Sequence, residues 1–440
     1  MADEADDARP DPAEELKEML RQLMSGGTPI DPSKLMGAAG LPSDPESVAK
    51  LFSQLQGAFT GSGDGINWKL ATEQAVSAAS TTSFTPTDQQ RGDLAQAMNV
   101  AALWLDESTT ISQLVEPTKL ITRVEWIQQT MPFWSQLAEP VATSMADALT
   151  RVLQEQTPEE MAGVLQDASR VVRGVGGTLF AIQLGHVVAQ LSAEVLSGGD
   201  VGIPLLEERA ALLPQNLGAF GDGLDIPEDQ IALYLAVREI AHARLFKHAR
   251  WLRLQLITSI TEFAHGIRID TSRVEELAES FDPSDPEKLR EAVASGALIE
   301  PKNESQLAAL GRLETMLALV EGWVDVVTAH ATARLPKSDA IGESVRRRRA
   351  AGGPAESAFA TLVGLELRPR RLREAARMWQ IVTDTMGAEK RDELWSHPDL
   401  LPSAADIDDP EALVKRLTGT AGDDMDQALE ELLRDPEQPS

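Results

Sequence analysis

Nowhere in this chain do apolar and polar residues alternate for long enough to make a secure strand, whereas apolar residues recur every three to four positions over most of its length. A stripe of that period is buried only when the segment is a helix, so the fold is expected to be mainly α, built from helices packed on one another. With 440 residues, 42% of them hydrophobic, the chain has enough material for one large domain or two to three smaller ones.

Helical spacing runs over Ile66–Ser83 and Thr87–Asp106, with Thr87 or Asp88 placed to cap the second helix. Trp104, Trp126 and Trp134 are expected to pack between helices. Val171–Leu196 is the most apolar stretch, yet Gln183, His186, Gln190 and Glu194 recur at helical spacing and make a polar stripe. It therefore reads as a helix of a soluble core and not as a membrane span, and its glycines would admit a close neighbour. Gly198–Pro204 reads as a turn, and the irregular stretch from there to Gly223 leaves room for short strands. Helical patterns resume over Ile226–Leu252, Leu252–Ile267, Thr271–Phe281, Pro286–Ser295 and Ser305–Arg334. Residues 335–356 read as loop-rich, and helices over Ala355–Leu365, Pro369–Met386 and a small one near 410–417 follow.

The flanks differ from this body. Residues 1–15 carry seven acids against one Arg, with two prolines, and are expected to be a disordered acidic tail. Residues 16–65 read as short helices and linker, 66–405 as the helical domain, and 406–440, with eleven acids against three bases, as a second acidic tail. The formal net charge of −29 argues against nucleic acid as a partner. An acidic start with no basic run leading into an apolar one makes the cytoplasm the expected compartment. There is no cysteine, so disulfides, thiolate metal sites and thiol nucleophiles are excluded, and any metal must rest mainly on His, Asp or Glu.

The chemistry concentrates in Arg238-Glu239-Ile240-Ala241-His242. At helical period Arg238 and His242 fall on the same face as Ile231, Leu235, Leu245 and Ala249, which puts a charge on a buried stripe. The pattern is one residue away from His-Glu-x-x-His, in which histidines at i and i+4 bind zinc and the glutamate is the general base. Arg238 cannot be a metal ligand. A later helix carries Glu321 and Asp325 one turn apart within the apolar run Leu317, Val320, Val324 and Val327.

These segments, with Ala236–Phe246, Trp251–Arg253, Leu313–Asp325, Arg346–Pro354, Phe359–Arg371 and Leu103–Asp106, resemble the actinobacterial zincin-like hydrolases labelled zinc-dependent metalloproteases. The resemblance spans roughly residues 65–410 and implies a zincin-like helical core with an added N-terminal helical region. Carried over, it makes His242 and Glu321 the zinc ligands, Glu239 the general base and Asp325 a carboxylate that orients the histidine. Arg238 matches nothing in that scheme, and two protein ligands are one short of a catalytic zinc site. His186, His248, His265 and His330 are the candidates for a third.

Two readings follow. In one, Arg238 takes the metal's place, pairs with Glu321, Asp325 or Glu239, and leaves a degenerate site on a binding or scaffolding protein whose cleft is kept for a peptide or protein partner. Arg238→Ala is then expected to destabilise the fold and Arg238→His to restore zinc. In the other, zinc is bound and the chain is a hydrolase with Glu239 as base. Arg346, Arg347, Arg348, Arg349, Arg370 and Arg371 are candidates for an anion patch, or equally for internal neutralisation of acidic helices.

Overall fold

The computed structural model describes residues 66–155, 162–206, 209–268, 270, 272, 300–351, 356, 358–360 and 371–419. Expectations for residues 1–65, for Thr271–Phe281 and Pro286–Ser295, for most of Ala355–Leu365, for Arg370 and for 420–440 lie outside them. Apart from Ser272, everything described belongs to one compact unit, residues 63–271 and 299–440.

Helices dominate, as their periodicity requires. Helix α1 (Trp68–Ser80) starts where the Asn67 side chain accepts from the Leu70 N–H, and α2 (Asp88–Asp106) starts at a reciprocal Thr87–Gln90 capping box. The long helices α3 (Arg123–Glu155) and α4 (Ala162–Glu194) pack on each other and on α1. At Gly185 a β-carbon would lie 2.6 Å from the Ala71 carbonyl oxygen, so the α1–α4 approach depends on that glycine. None of the described helices is long and apolar enough to cross a membrane.

Between α4 and the following helices lies the small strand content: β1 (Lys119–Leu120) pairs in parallel with β2 (Ala211–Leu212), and Ser197 bridges Leu212 from the other side in antiparallel sense. Short helix α5 (Pro214–Gly221) leads into α6 (Glu228–His248) and α7 (Arg250–His265). The continuous helix expected over Ile226–Leu252 is thus divided, because Ala249 (φ −98°, ψ 65°) leaves the helical region. Next come α8 (Glu304–Ala331), opened by an Asn303–Gln306 capping box, α9 (Ser338–Ala350) and α10 (Leu372–Glu393), with Gly387 (φ 86°) interrupting the last. Helices α11 (Ala404–Asp408) and α12 (Pro410–Leu417) close the described chain.

Helix α8 is the hub. It packs on α6, α7 and α10, while α6 also packs on α2. Three tryptophans fill the far side of α8: Trp323, Trp379 and Trp395 are fully buried, with Trp379 stacked on Trp395 at 5.4 Å. Asp392 stitches that side together, accepting from Trp323 Nε1 (3.0 Å), Thr109 Oγ1 (2.6 Å), the Thr110 N–H (2.8 Å) and Arg391 Nε (2.8 Å).

Three expectations are corrected. Residues 335–356 are not loop-rich: α9 occupies most of them, its buried face made by Ile341, Val345 and Arg349, and the arginine run hid that period. Trp126 and Trp134 are fully buried, but Trp104 is half-exposed under the Arg334 guanidinium, 5.2 Å from its ring centre. Folded packing also continues past residue 405, since Ile407 and Leu413 are buried and α11 and α12 lie on α10.

Candidate functional site

Helix α6 is covered on most of its circumference by α2, α8, α9 and the β2 region, so its central polar side chains are cut off from water. Arg238, Glu239 and His242 are 6%, 2% and 2% exposed, and Glu321, which meets them from α8, is 1% exposed. A buried carboxylate survives only with partners. Glu321 has three. The Arg238 guanidinium donates to Oε2, while His242 Nε2 lies 3.1 Å and Arg349 Nη2 2.9 Å from Oε1. Burial by itself would raise the Glu321 carboxyl, but Arg349, Arg238 and the His242 hydrogen bond outweigh it and hold it well below the usual carboxylate range.

Burial lowers the His242 pKa despite the Glu321 carboxylate beside it, which favours the neutral imidazole. With Nε2–H donating to Glu321, its Nδ1 is a buried acceptor without a hydrogen-bond partner. Asp325, one turn beyond Glu321, accepts from Arg346 Nη1 at 3.2 and 3.3 Å. Its carboxyl is raised by burial, with Arg238 and Arg346 pulling the other way.

Glu239 is engaged elsewhere. Its Oε2 accepts from the Gly199 N–H and its Oε1 from the Ala211 N–H, both at 2.8 Å. Burial pushes its carboxyl up to about 7 against the pull of those donors and of Ser197. Both donors belong to a strap, residues 196–206 and 209–213, that crosses the site. The strap lies on it so closely that a β-carbon at Gly199 would be 3.0 Å from the Glu239 carboxylate and from His242, and one at Gly202 would be 3.2 Å from Glu321 Oε1. Gly202 also has φ +83°, a conformation that glycine adopts without strain. Val195 and Ile203 are fully buried, and Leu196, Val201 and Leu205 nearly so, which roots the strap in the core.

Helix α9 fastens the strap. Asp200 accepts from the Leu196 N–H (2.9 Å) and from Arg348 Nη1 (2.8 and 3.0 Å), with Arg349 Nη2 at 3.9 Å. The arginines proposed as an anion patch therefore serve as internal counter-ions wherever they are described. Arg346 and Arg347 pair with Glu343, Arg348 with Asp200, Arg349 with Glu321, and Arg371 with Asp408.

The structure thus brings together Arg238, His242 and Glu321, sets Asp325 one turn away, and commits Glu239 to the strap. It does not bring in a third ligand. His186 and His330 are exposed and pair with Gln190 and Gln380, and His248 and His265 are exposed at helix ends. Among the described residues no three His, Asp or Glu side chains are grouped so as to hold a metal ion. The donor set also fails on charge, since both oxygens of Glu321 face guanidiniums. Zinc does not fit these residues. Arg349 is the participant that sequence reasoning missed. Its spacing from Ile341 and Val345, four and eight residues, was the available signal.

The overall arrangement is similar to a solved structure described as "a putative hydrolase with a novel fold from Chloroflexus aurantiacus", with 18% sequence identity, a TM-score of 0.54, and 80% of this chain and 99% of that one covered. At that identity the likeness is one of fold. Residues 66–414 match the family described as zincin-like metallopeptidase, and the chain belongs to that family. No match is found among curated proteins.

Proposed function

We propose that this chain is a non-catalytic member of its family, in the branch where Arg-Glu-x-x-His replaces His-Glu-x-x-His, and that it serves as a binding or scaffolding protein for a peptide or protein partner. The observation that carries this reading is the state of Glu321: the carboxylate that the resemblance makes a zinc ligand is held between Arg238 and Arg349, inside a core closed by the strap. A general base needs reach to its water, and Glu239 spends both oxygens on backbone N–H groups. A hydrolase would further need a third ligand and an open coordination position.

Elemental analysis of the untagged protein, with peptide-library hydrolysis followed by mass spectrometry, tests the proposal. The expected result is no bound zinc and no cleavage above a heat-treated control. Near-stoichiometric zinc that is lost in Glu321→Ala, together with cleavage abolished in Glu239→Gln, would reverse the reading in favour of a zinc hydrolase.

A further inference from the structure

The reading above leaves open what keeps a metal out, and Arg238 has been the natural answer because it stands where the first histidine would be. The geometry points to a different division of labour. We infer that the cation of this site is a pair of guanidiniums, Arg238 from α6 and Arg349 from α9, and that Arg349 by itself bars a divalent metal. The inference rests on the non-catalytic reading and extends it to a residue outside the α6 motif.

A metal shared by His242 and Glu321 must lie against His242 Nε2 and one carboxylate oxygen. The oxygen nearest that nitrogen is Oε1, at 3.1 Å, and Arg349 Nη2 lies 2.9 Å from the same oxygen. Arg238 binds the other one, Oε2. The guanidinium in the metal's way is therefore the one delivered by α9. Arg349 is 7% exposed, and its Nε and Nη2 make no hydrogen bond. Charge holds it there, not a satisfied donor set, and its pKa is lowered by burial against the pull of Glu321 and Asp200. Two guanidiniums together carry the charge of one divalent ion, so the electrostatic balance of a zinc site is kept while its coordination chemistry is lost.

The earlier expectation that Arg238→His restores zinc is revised on this ground. That change raises the ligand number from two to three but leaves a permanent cation on the ligating oxygen. Removing the charge at 349 as well should open the site, because, among the strap's glycines, Gly202 lies nearest Glu321 Oε1 and brings no side chain to that oxygen.

The experiment compares the full-length wild type with Arg238→His, Arg238→His/Arg349→Gln, Arg238→His/Arg349→Met and Arg238→His/Arg349→Lys. Zinc retained after dialysis, the cobalt(II) absorption spectrum and Tm with and without zinc are read. Expected is no retained zinc and no Tm shift in the wild type, in Arg238→His or in the charge-keeping Lys variant. At least one neutralised double variant should retain close to one zinc, show a four-coordinate cobalt spectrum and gain Tm with zinc. Equal zinc retention by Arg238→His or by the Lys variant, with a metal-free wild type, overturns this inference and leaves the non-catalytic reading standing. Zinc in the wild type overturns that reading itself. Two neutralised variants that stay metal-free, or that fail to fold with zinc present, also count against the pair, since a divalent ion should replace the charge removed.

Discussion

At the scale of single residues, the decisive quantity is what a buried carboxylate loses when a partner leaves. Arg238→Ala removes the donor to Glu321 Oε2 and leaves that oxygen facing an empty space inside the core. Breaking one side of a buried ion pair costs on the order of 3–5 kcal/mol, so a loss of that size is expected in chemical denaturation of Arg238→Ala. A loss under about 1 kcal/mol, the range of exposed pairs, would mean that water reaches Glu321 and would contradict the burial described above. The α6 half of this cluster was legible in the sequence because Arg238 and His242 share a buried stripe. Glu321 was marked by its place in an apolar run, but its role came only from the family resemblance, since a Glu-x-x-x-Asp pair on a helix has no distinguishing chemistry. Arg349 was hidden because the only local mark that sets it apart in a run of four arginines is its spacing from Ile341 and Val345, a stripe too short to stand out.

At the scale of elements, the same cluster depends on how closely α8 meets α10. A β-carbon at Gly322 would lie 2.7 Å from the Ala376 nitrogen and 2.8 Å from the Ala375 carbonyl carbon, backbone atoms that cannot swing aside. Glu321 and Trp323 flank this glycine, one turned to the ion cluster and the other to Asp392. Gly322→Ala should therefore cost about 1–3 kcal/mol by overpacking, despite the gain in helix propensity, and urea titration would show it as a lower midpoint at unchanged slope. An unchanged or raised midpoint would mean that the two helices can separate without penalty. The helices themselves were readable where an apolar stripe met a cap, as at Thr87. Helix α9 was not, because only two of its buried positions, Ile341 and Val345, carry large apolar side chains, and beside Ser338, Gly342 and Arg349 they give the period too little contrast.

At the scale of the molecule, the strap decides what the fold can offer. Sequence punctuation made Gly198–Pro204 read as a turn and the stretch on to Gly223 as irregular, and tertiary packing puts residues 200–206 in the core, with glycines admitted for closeness and not for flexibility. If the strap is core, the Gly199 and Ala211 amides, both bonded to Glu239, should exchange with solvent only through global unfolding. Native-state hydrogen exchange would then give both amides the full unfolding free energy and its full denaturant slope. Exchange through a small, slope-free opening would identify the strap as a door and would return the site to consideration as a working cleft.

The two guanidiniums on Glu321 also change the site's dependence on the cell around it. A metal-held fold gains stability by mass action, in proportion to the logarithm of free metal over its dissociation constant, and weakens when metal is scarce. Here the counter-charge is covalently part of the chain, made at translation in a fixed ratio of two arginines to one carboxylate. On the non-catalytic reading proposed above, the protein's stability is expected to be independent of zinc supply, and a chelator is expected to leave its Tm unchanged.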